Sequence, residues 1–251
     1  MSIRLLVCSL VAGLGVSACA SLPFSHGPHW SYAGKEGPEH WGSLSRDFAL
    51  CSSGKNQSPV DLGAARHTRG GKLSFQHAVL PYTVENNGHT IQAVPGEERE
   101  ALTLGERRFA LKQFHFHVPS EHTFRMKFYP MEIHFVHQSQ AGELAVLAVT
   151  VKEGAENPSL QPLLASPLKA GESVALADVL DIGPLFPSRR AHYRLNGSLT
   201  TPPCSEGVNW IVFTSPIQAS KAQIARMAEL IGQANNRPVQ PINARVVVEE
   251  S

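Results

Sequence analysis

The chain has no block of basic residues, no long apolar run and no low-complexity tract, and each absence removes a class of function. Its 22 Lys and Arg stand against 21 Asp and Glu, a formal net charge of +1, so the electrostatic footprint of a nucleic-acid binder is missing. The leading apolar run, Leu5 to Val16, is shorter than the roughly 20 residues a membrane-spanning helix needs. No linker or repeat breaks the stretch from His29 to about Glu249, which reads as one domain. Cysteine is scarce, four in 251 residues. What the chain does have is 20 Gly and 18 Pro, the punctuation that many short strands with tight turns require.

The first residues read as an address rather than as structure. Arg4 gives a short positive region, Leu5 to Val16 an apolar one, and Val16-Ser17-Ala18-Cys19 resembles a bacterial lipobox. On that reading residues 1–19 are a signal peptide and Cys19 becomes the lipidated first residue of the mature protein. The competing reading is ordinary cleavage after Ala18-Cys19-Ala20. Either one exports the protein to the periplasm or cell envelope, with residues 20–28 as a tether and 29–249 as the folded domain. Cys8 and Cys19 belong to the leader, so export leaves Cys51 and Cys204 as an even pair in an oxidising compartment, where a disulfide is expected. Two buried free thiols are the alternative.

Within the domain, alternating segments bounded by turns predict strands over Leu73 to Gln76, Tyr82 to Glu85, His89 to Val94, Ala101 to Leu104, Phe109 to Val118, Met131 to Gln138, Leu144 to Glu153, Ala191 to Leu195 and Val208 to Ser215. Leu144 to Val149 is apolar at every position and reads as a central strand covered on both faces. One helix is legible. Ser220 as N-cap with Gln223 three residues on forms a capping box, Ile224, Met227, Ala228 and Ile231 share a face, and Gly232 ends it.

The most informative stretch is Gln113-Phe114-His115-Phe116-His117. On a strand, His115 and His117 point to one face, and Phe114, Phe116 and Val118 to the other. Met131 to Val136 alternates in the same way and carries His134. A hairpin would bring it beside the first pair, making the three-imidazole set of a catalytic zinc site with a fourth position left for water. Gln113 and Glu132 each lie two residues before a histidine and share its face, which is where acceptors for the non-ligating ring nitrogens belong. An all-imidazole donor set suits Zn2+ better than Mg or Mn. His26, His29, His40, His67, His77, His137 and His192 receive no ligand role.

Further motifs follow in a fixed order: Gly37-Pro38-Glu39-His40-Trp41, Asn56-Gln57-Ser58-Pro59-Val60-Asp61, Asn86-Asn87-Gly88-His89, the histidine runs, Ser120-Glu121-His122-Thr123, Gly197-Ser198-Leu199-Thr200-Thr201-Pro202-Pro203-Cys204 and Asn209-Trp210. Together they resemble the α-class carbonic anhydrases of the exported bacterial kind, from His29-Trp30 nearly to the C-terminus. The resemblance implies a mainly β (α+β) domain on a large twisted, mostly antiparallel mixed sheet with a few short surface helices. It matches Cys51 and Cys204 to the family's two cysteines, and Ser58-Pro59 and Pro202-Pro203 to its cis peptides.

The implied reaction is the zinc-dependent reversible hydration of carbon dioxide to bicarbonate and a proton. In carbonic anhydrases, the reference case from which the magnitude comes, zinc lowers the pKa of its water to about 7, giving the hydroxide that attacks CO2. The resemblance makes Thr200 the residue that aims this hydroxide by donating its own proton to Glu121, and His89 the proton shuttle. His122 becomes support beneath the site, and Val136, Val146, Leu199 and Trp210 the apolar wall for CO2. Some positions depart from the better-known animal pattern: Val118 stands for a tryptophan, Leu195 for a tyrosine, Gln92 for an asparagine, and the loop to Glu121 is short. The alternatives are a zinc esterase or hydrolase of the same fold, and a catalytically inactive zinc-binding envelope protein. The partners implied are small molecules and, through Cys19, a membrane; the oligomeric state is left open, a dimer included.

Overall fold

The structure, a computed structural model, describes residues 28–70 and 73–251. The leader, Cys19 and residues 20–27 of the tether therefore lie outside the described residues. The strands are β1 (Arg66–Thr68), β2 (Leu73–Gln76), β3 (Val79–Leu80), β4 (Tyr82–Asn86), β5 (Ile91–Pro95), β6 (Ala101–Leu104), β7 (Arg107–His117) and β8 (Met131–Ser139). They continue with β9 (Leu144–Glu153), β10 (Ser173–Ala175), β11 (Leu180–Asp181), β12 (His192–Ser198), β13 (Glu206–Phe213), β14 (Ile217–Ala219) and β15 (Val248–Glu250). The α-helices are α1 (Trp41–Leu44), α2 (Leu50–Ser53), α3 (Gln161–Leu164) and α4 (Lys221–Ile231).

Thirteen strands form one sheet whose main path runs β1-β15-β12-β13-β9-β8-β7-β5-β4-β10. Pairing is antiparallel except where β15 meets β1 and where β9 meets β13 and β14, so the sheet is mixed and mostly antiparallel. β9 stands inside it, and its side chains alternate between two apolar clusters. Leu147, Val149 and Val151 join Phe114, Phe116, Ile133, Phe135 and Phe213 on one face. Val146 and Ala148 join Trp210, Val212 and Leu195 on the other. Both faces of β9 are buried, as its unbroken apolar run requires.

The long strand β7 is not one uninterrupted alternation. Its register against β8 slips between Leu111 and Gln113. An extra residue in one strand reverses the parity beyond it. Phe109 and Leu111 therefore lie on the same apolar face as Phe114 and Phe116, instead of on the face of the histidines. The capping box at Ser220 forms in both directions, and Gly232 closes α4 at φ 81°. That left-handed backbone favours glycine.

Some boundaries differ from the sequence reading. His89 and Thr90 precede β5, because their N–H groups donate to Asn87 Oδ1 in the turn. Val118 leaves β7, because its N–H donates to Asn235 Oδ1. The short strands β1, β3, β10, β11, β14 and β15 were not predicted; two or three residues carry too little alternation to read. Cys51 and Cys204 are bonded to each other, and Ser58-Pro59 and Pro202-Pro203 are cis, as is Val118-Pro119. Among the described residues no helix is long and apolar enough to cross a membrane.

Candidate metal centre

The register between β7 and β8 sets the centre. His115 stands directly opposite His134, and His117 opposite Glu132. Alternation then turns His115, His117 and His134 to one face, with ring centroids 4.5–5.4 Å apart. One nitrogen from each ring lies within 4.8 Å of the others.

The nitrogens turned away from this point are held. His115 Nδ1 is 2.8 Å from Gln113 Oε1, His117 Nδ1 is 2.8 Å from the carbonyl oxygen of Asn235, and His134 Nε2 is 2.9 Å from Glu132 Oε1. Each of these oxygens accepts, so each ring carries its proton there and offers a lone pair from the other nitrogen. His117 Nε2 is buried with no hydrogen-bond partner among the described residues, and so is Glu121 Oε2. They lie 3.5 Å apart. A buried acceptor aimed at nothing is costly; a divalent cation held by the three imidazoles is what this donor set fits.

Glu132 does more than orient His134. Its Oε1 also accepts from His122 Nδ1 at 2.8 Å, while Oε2 accepts the backbone N–H groups of Glu121 and His122 at 2.9 Å each. The close set His122, Glu132 and His134 is thus a hydrogen-bonded triad rather than a second ion site. His122 sits beneath the centre, edge-on to Trp210.

Electrostatics keep the three imidazoles neutral. Burial, then the neighbouring rings, holds His115 well below the usual imidazole range. Burial pushes His117 down to about 4 and lowers His134 as well. Burial would raise Glu132, but the charge and hydrogen bonds of His122 and His134 hold it well below the usual carboxylate range. Burial pushes Glu121 up to about 7 against the opposing pull of His134, the Arg237 N–H and the Thr200 hydroxyl. Thr200 is buried beside it.

The Thr200 loop is pinned from below. Ser198 Oγ accepts the N–H of Ser58, its carbonyl accepts Trp210 Nε1–H, and the N–H of Leu199 donates to the Ser205 carbonyl. Gly197 packs so closely on Ser58 and Trp210 that a Cβ there would overlap both. Val146 and Trp210 belong to one apolar cluster, with Val136 and Leu199 packed against it; the four predicted wall residues are together.

A cleft of about 120 Å³ leads out past His115, His117 and Thr201 to Gln92, Asn87, His89, Trp30 and Tyr32. His89 stacks on Trp30 with centroids 3.7 Å apart and planes 7° apart. Burial, then the charge of His29, lowers its pKa.

The sequence reading missed two buried residues. Asn235 holds His117 through its carbonyl, and its side chain ties Val118, Phe116 and His89 together. The Arg237 N–H donates to Glu121 Oε1 at 2.8 Å. Its guanidinium binds Gln57 Oε1 and the carbonyls of Ser58 and Cys51. Both lie in an irregular stretch after α4, where no periodicity signals burial. The polar run Asn235-Asn236-Arg237 was the available clue.

Three converging histidines on a large mixed sheet, two of them buried and the third at a cleft lined by a further histidine, are the arrangement of a metalloenzyme with a small substrate. A sequence model of the family described as eukaryotic-type carbonic anhydrase matches residues 36–251. The carbonic anhydrase of Klebsiella pneumoniae is 44% identical over 223 residues, 88% of this chain and 91% of that one. That of Neisseria gonorrhoeae is 44% identical over 246 residues, 96% of each. The α-carbonic anhydrase of Thermovibrio ammonificans, solved with the inhibitor sulfanilamide, superposes with a TM-score of 0.85 at 46% identity, covering 89% of this chain and all of that one. The chain belongs to the α-carbonic anhydrase family, and its activity is the reversible hydration of carbon dioxide.

Proposed function

We propose that His115, His117 and His134 hold Zn2+, and that Thr200, Glu121 and His89 divide the remaining work of CO2 hydration. The observation that carries this is the convergence of three neutral imidazoles whose outward nitrogens are all already engaged. Zinc bound there supplies a Lewis acid that makes water a competent nucleophile near neutral pH.

The protein's own groups supply direction. An ionised Glu121 can only accept, so the Thr200 hydroxyl beside it donates that way. The oxygen of Thr200 is then left to accept from the attacking nucleophile, which fixes its approach to carbon. Val136, Val146, Leu199 and Trp210 give CO2 an apolar surface without hydrogen-bond partners, so it is held near the metal but not tightly. His89, half-buried at the outlet, takes the released proton and passes it to buffer; an imidazole is suited to this because it titrates near physiological pH.

Residues 1–19 direct export, residues 20–28 tether the domain of residues 29–249, and Cys19 carries lipid that anchors it to a membrane of the cell envelope. The Cys51–Cys204 bond supports an oxidising compartment. Mass spectrometry of the mature N-terminus tests the anchor. Metal analysis coupled to a CO2 hydration assay tests the centre: about one zinc per chain and rapid hydration are expected. Stoichiometric zinc without hydration would leave a binding protein instead, and ester cleavage outpacing hydration would make it a hydrolase.

A further inference from the structure

Gln92 stands on β5 opposite Glu85 of β4 and opposite His115 of β7. The same ladder row continues through His134 of β8. Residues directly opposite across antiparallel strands share a face, so Glu85, Gln92 and two of the metal-centre histidines look the same way. Gln92 Nε2 lies 2.8 Å from Glu85 Oε1. A carboxylate only accepts. The amide nitrogen must therefore be the atom turned to Glu85, and the carbonyl oxygen is left for the cleft that Gln92 lines. Gln113 is fixed in the opposite sense. Its oxygen is engaged by the His115 Nδ1–H, which leaves its amide N–H groups for the same cleft. The wall between the three histidines and His89 thus presents a donor from Gln113 and an acceptor from Gln92, the first with its polarity set by His115 and the second by Glu85, which lies outside the residues lining the cleft.

We propose that Glu85 is a positioning residue for proton release: by engaging the Gln92 amide nitrogen it fixes an acceptor on the cleft wall and so sets the direction in which cleft hydrogen bonds run toward His89. This rests on His89 being the shuttle. Proton relay needs each donor aimed at the next acceptor, and an amide free to flip would present N–H and C=O alternately. Glu85 touches no substrate and acts only through Gln92.

Lysine at position 85 tests this directly. It only donates, so it draws the Gln92 carbonyl toward itself and turns the N–H groups into the cleft. For the metal-loaded enzyme, kcat in weak buffer, kcat in high imidazole and kcat/KM are measured for Glu85→Lys, Glu85→Gln, Gln92→Leu and the Glu85→Lys/Gln92→Leu pair. The His89 titration is followed in parallel by NMR. We expect Glu85→Lys to lower weak-buffer kcat about fivefold or more, with kcat/KM within about twofold and imidazole restoring kcat. Glu85→Gln, which can take either role, falls between. On a Gln92→Leu background Glu85→Lys then changes nothing further, because no amide remains to turn. Normal kcat in high imidazole certifies that each variant folds; were Glu85→Lys to misfold, the weak-buffer loss in Glu85→Gln carries the test. An unchanged weak-buffer kcat in both Glu85 variants overturns the proposal. So does an equal loss with and without Gln92, which would be plain charge acting on His89 and would show in its NMR titration. If His89→Ala itself is as fast as the parent in weak buffer, the shuttle reading fails first and this proposal with it; a slow His89→Ala beside unaffected Glu85 variants sinks this proposal alone.

Discussion

Replacing Arg237 by Leu is expected to be among the most damaging single changes outside the three histidines proposed to hold the metal. The residue is 1% exposed. Its guanidinium satisfies Gln57 Oε1 and the carbonyls of Ser58 and Cys51, each at 2.8–2.9 Å. Leucine leaves three buried acceptors without donors, and each orphaned group costs about 1–3 kcal/mol. Against this stands the cost of burying the cation, visible in a guanidinium pKa pushed down to about 10 by burial. Three orphaned acceptors, less the relieved desolvation of the cation, leave a net loss of about 3–5 kcal/mol, a large part of a domain stability of about 5–15 kcal/mol. At about 2–4 °C per kcal/mol for a chain of this size, calorimetry should show Tm lower by about 6–20 °C. Arg237→Lys should recover only part, since one ammonium cannot span three acceptors set for a planar fork. The Arg237 N–H to Glu121 survives both changes, so the folded fraction keeps its activity at low temperature. A Tm within about 2 °C of the parent for Arg237→Leu would refute the reasoning and mean that desolvation of the guanidinium cancels its hydrogen bonds.

Reducing the Cys51–Cys204 bond, which closes a loop of 153 residues, removes about 5 kcal/mol of chain-entropy stabilisation; a reductant that leaves Tm unmoved would contradict this. His134→Ala should lose most bound metal and activity together, as read by metal analysis and CO2 hydration, and full retention of both would remove His134 from the centre. His89→Ala should slow turnover in weak buffer and be rescued by imidazole; insensitivity of the variant to buffer would end the shuttle assignment. His137 is buried on β8 and its pKa is pushed down to about 4 by burial. Between pH 6.5 and that value the unfolded chain binds a proton that the folded one does not, so stability is present above the unfolded pKa and is lost as pH falls through this window. His137→Leu should flatten the loss of stability between about pH 6.5 and 4 in urea titrations, and an unchanged slope would assign it elsewhere.

How much of this was legible depended on the range of the signal. The long strands, nine to eleven residues each, announced themselves: β8 and the histidine half of β7 through alternation, and β9 through an unbroken apolar run. The helix α4 did so through its capping box and final glycine. The slip between Leu111 and Gln113 was invisible. Lys112 is polar and Leu111 apolar, and the pattern on each side is locally valid in a different parity. The strands of two or three residues exist because a neighbour's edge is available, a property of the partner rather than of their own sequence. Gln113, Glu132 and the three histidines were readable from spacing alone. Thr200, Glu121 and His89 were readable only through resemblance, since nothing local brings them to the histidines.

That division follows from how the site is built. The three proposed metal ligands and two of the three acceptors that hold them lie on two adjacent strands in the interior of the sheet, where the β7–β8 register fixes five side chains at once. The groups proposed to steer substrate and protons arrive from elsewhere, Glu121 on the β7–β8 connection, Thr200 after β12 and His89 before β5, and Asn235 and Arg237, which hold them, come after α4. They are cross-linked by long-range hydrogen bonds, such as Arg237 to Glu121 and Asn235 to His117 and His89. A metal grip set by sheet register is insensitive to small loop shifts, whereas proton transfer depends on hydrogen-bond distances between loops. Changes in those connections should therefore alter turnover and its buffer dependence well before they release the metal. Kinetic differences between this chain and its relatives should accordingly map to the connections that carry His89, Glu121, Thr200 and Asn235 rather than to the histidines on β7 and β8.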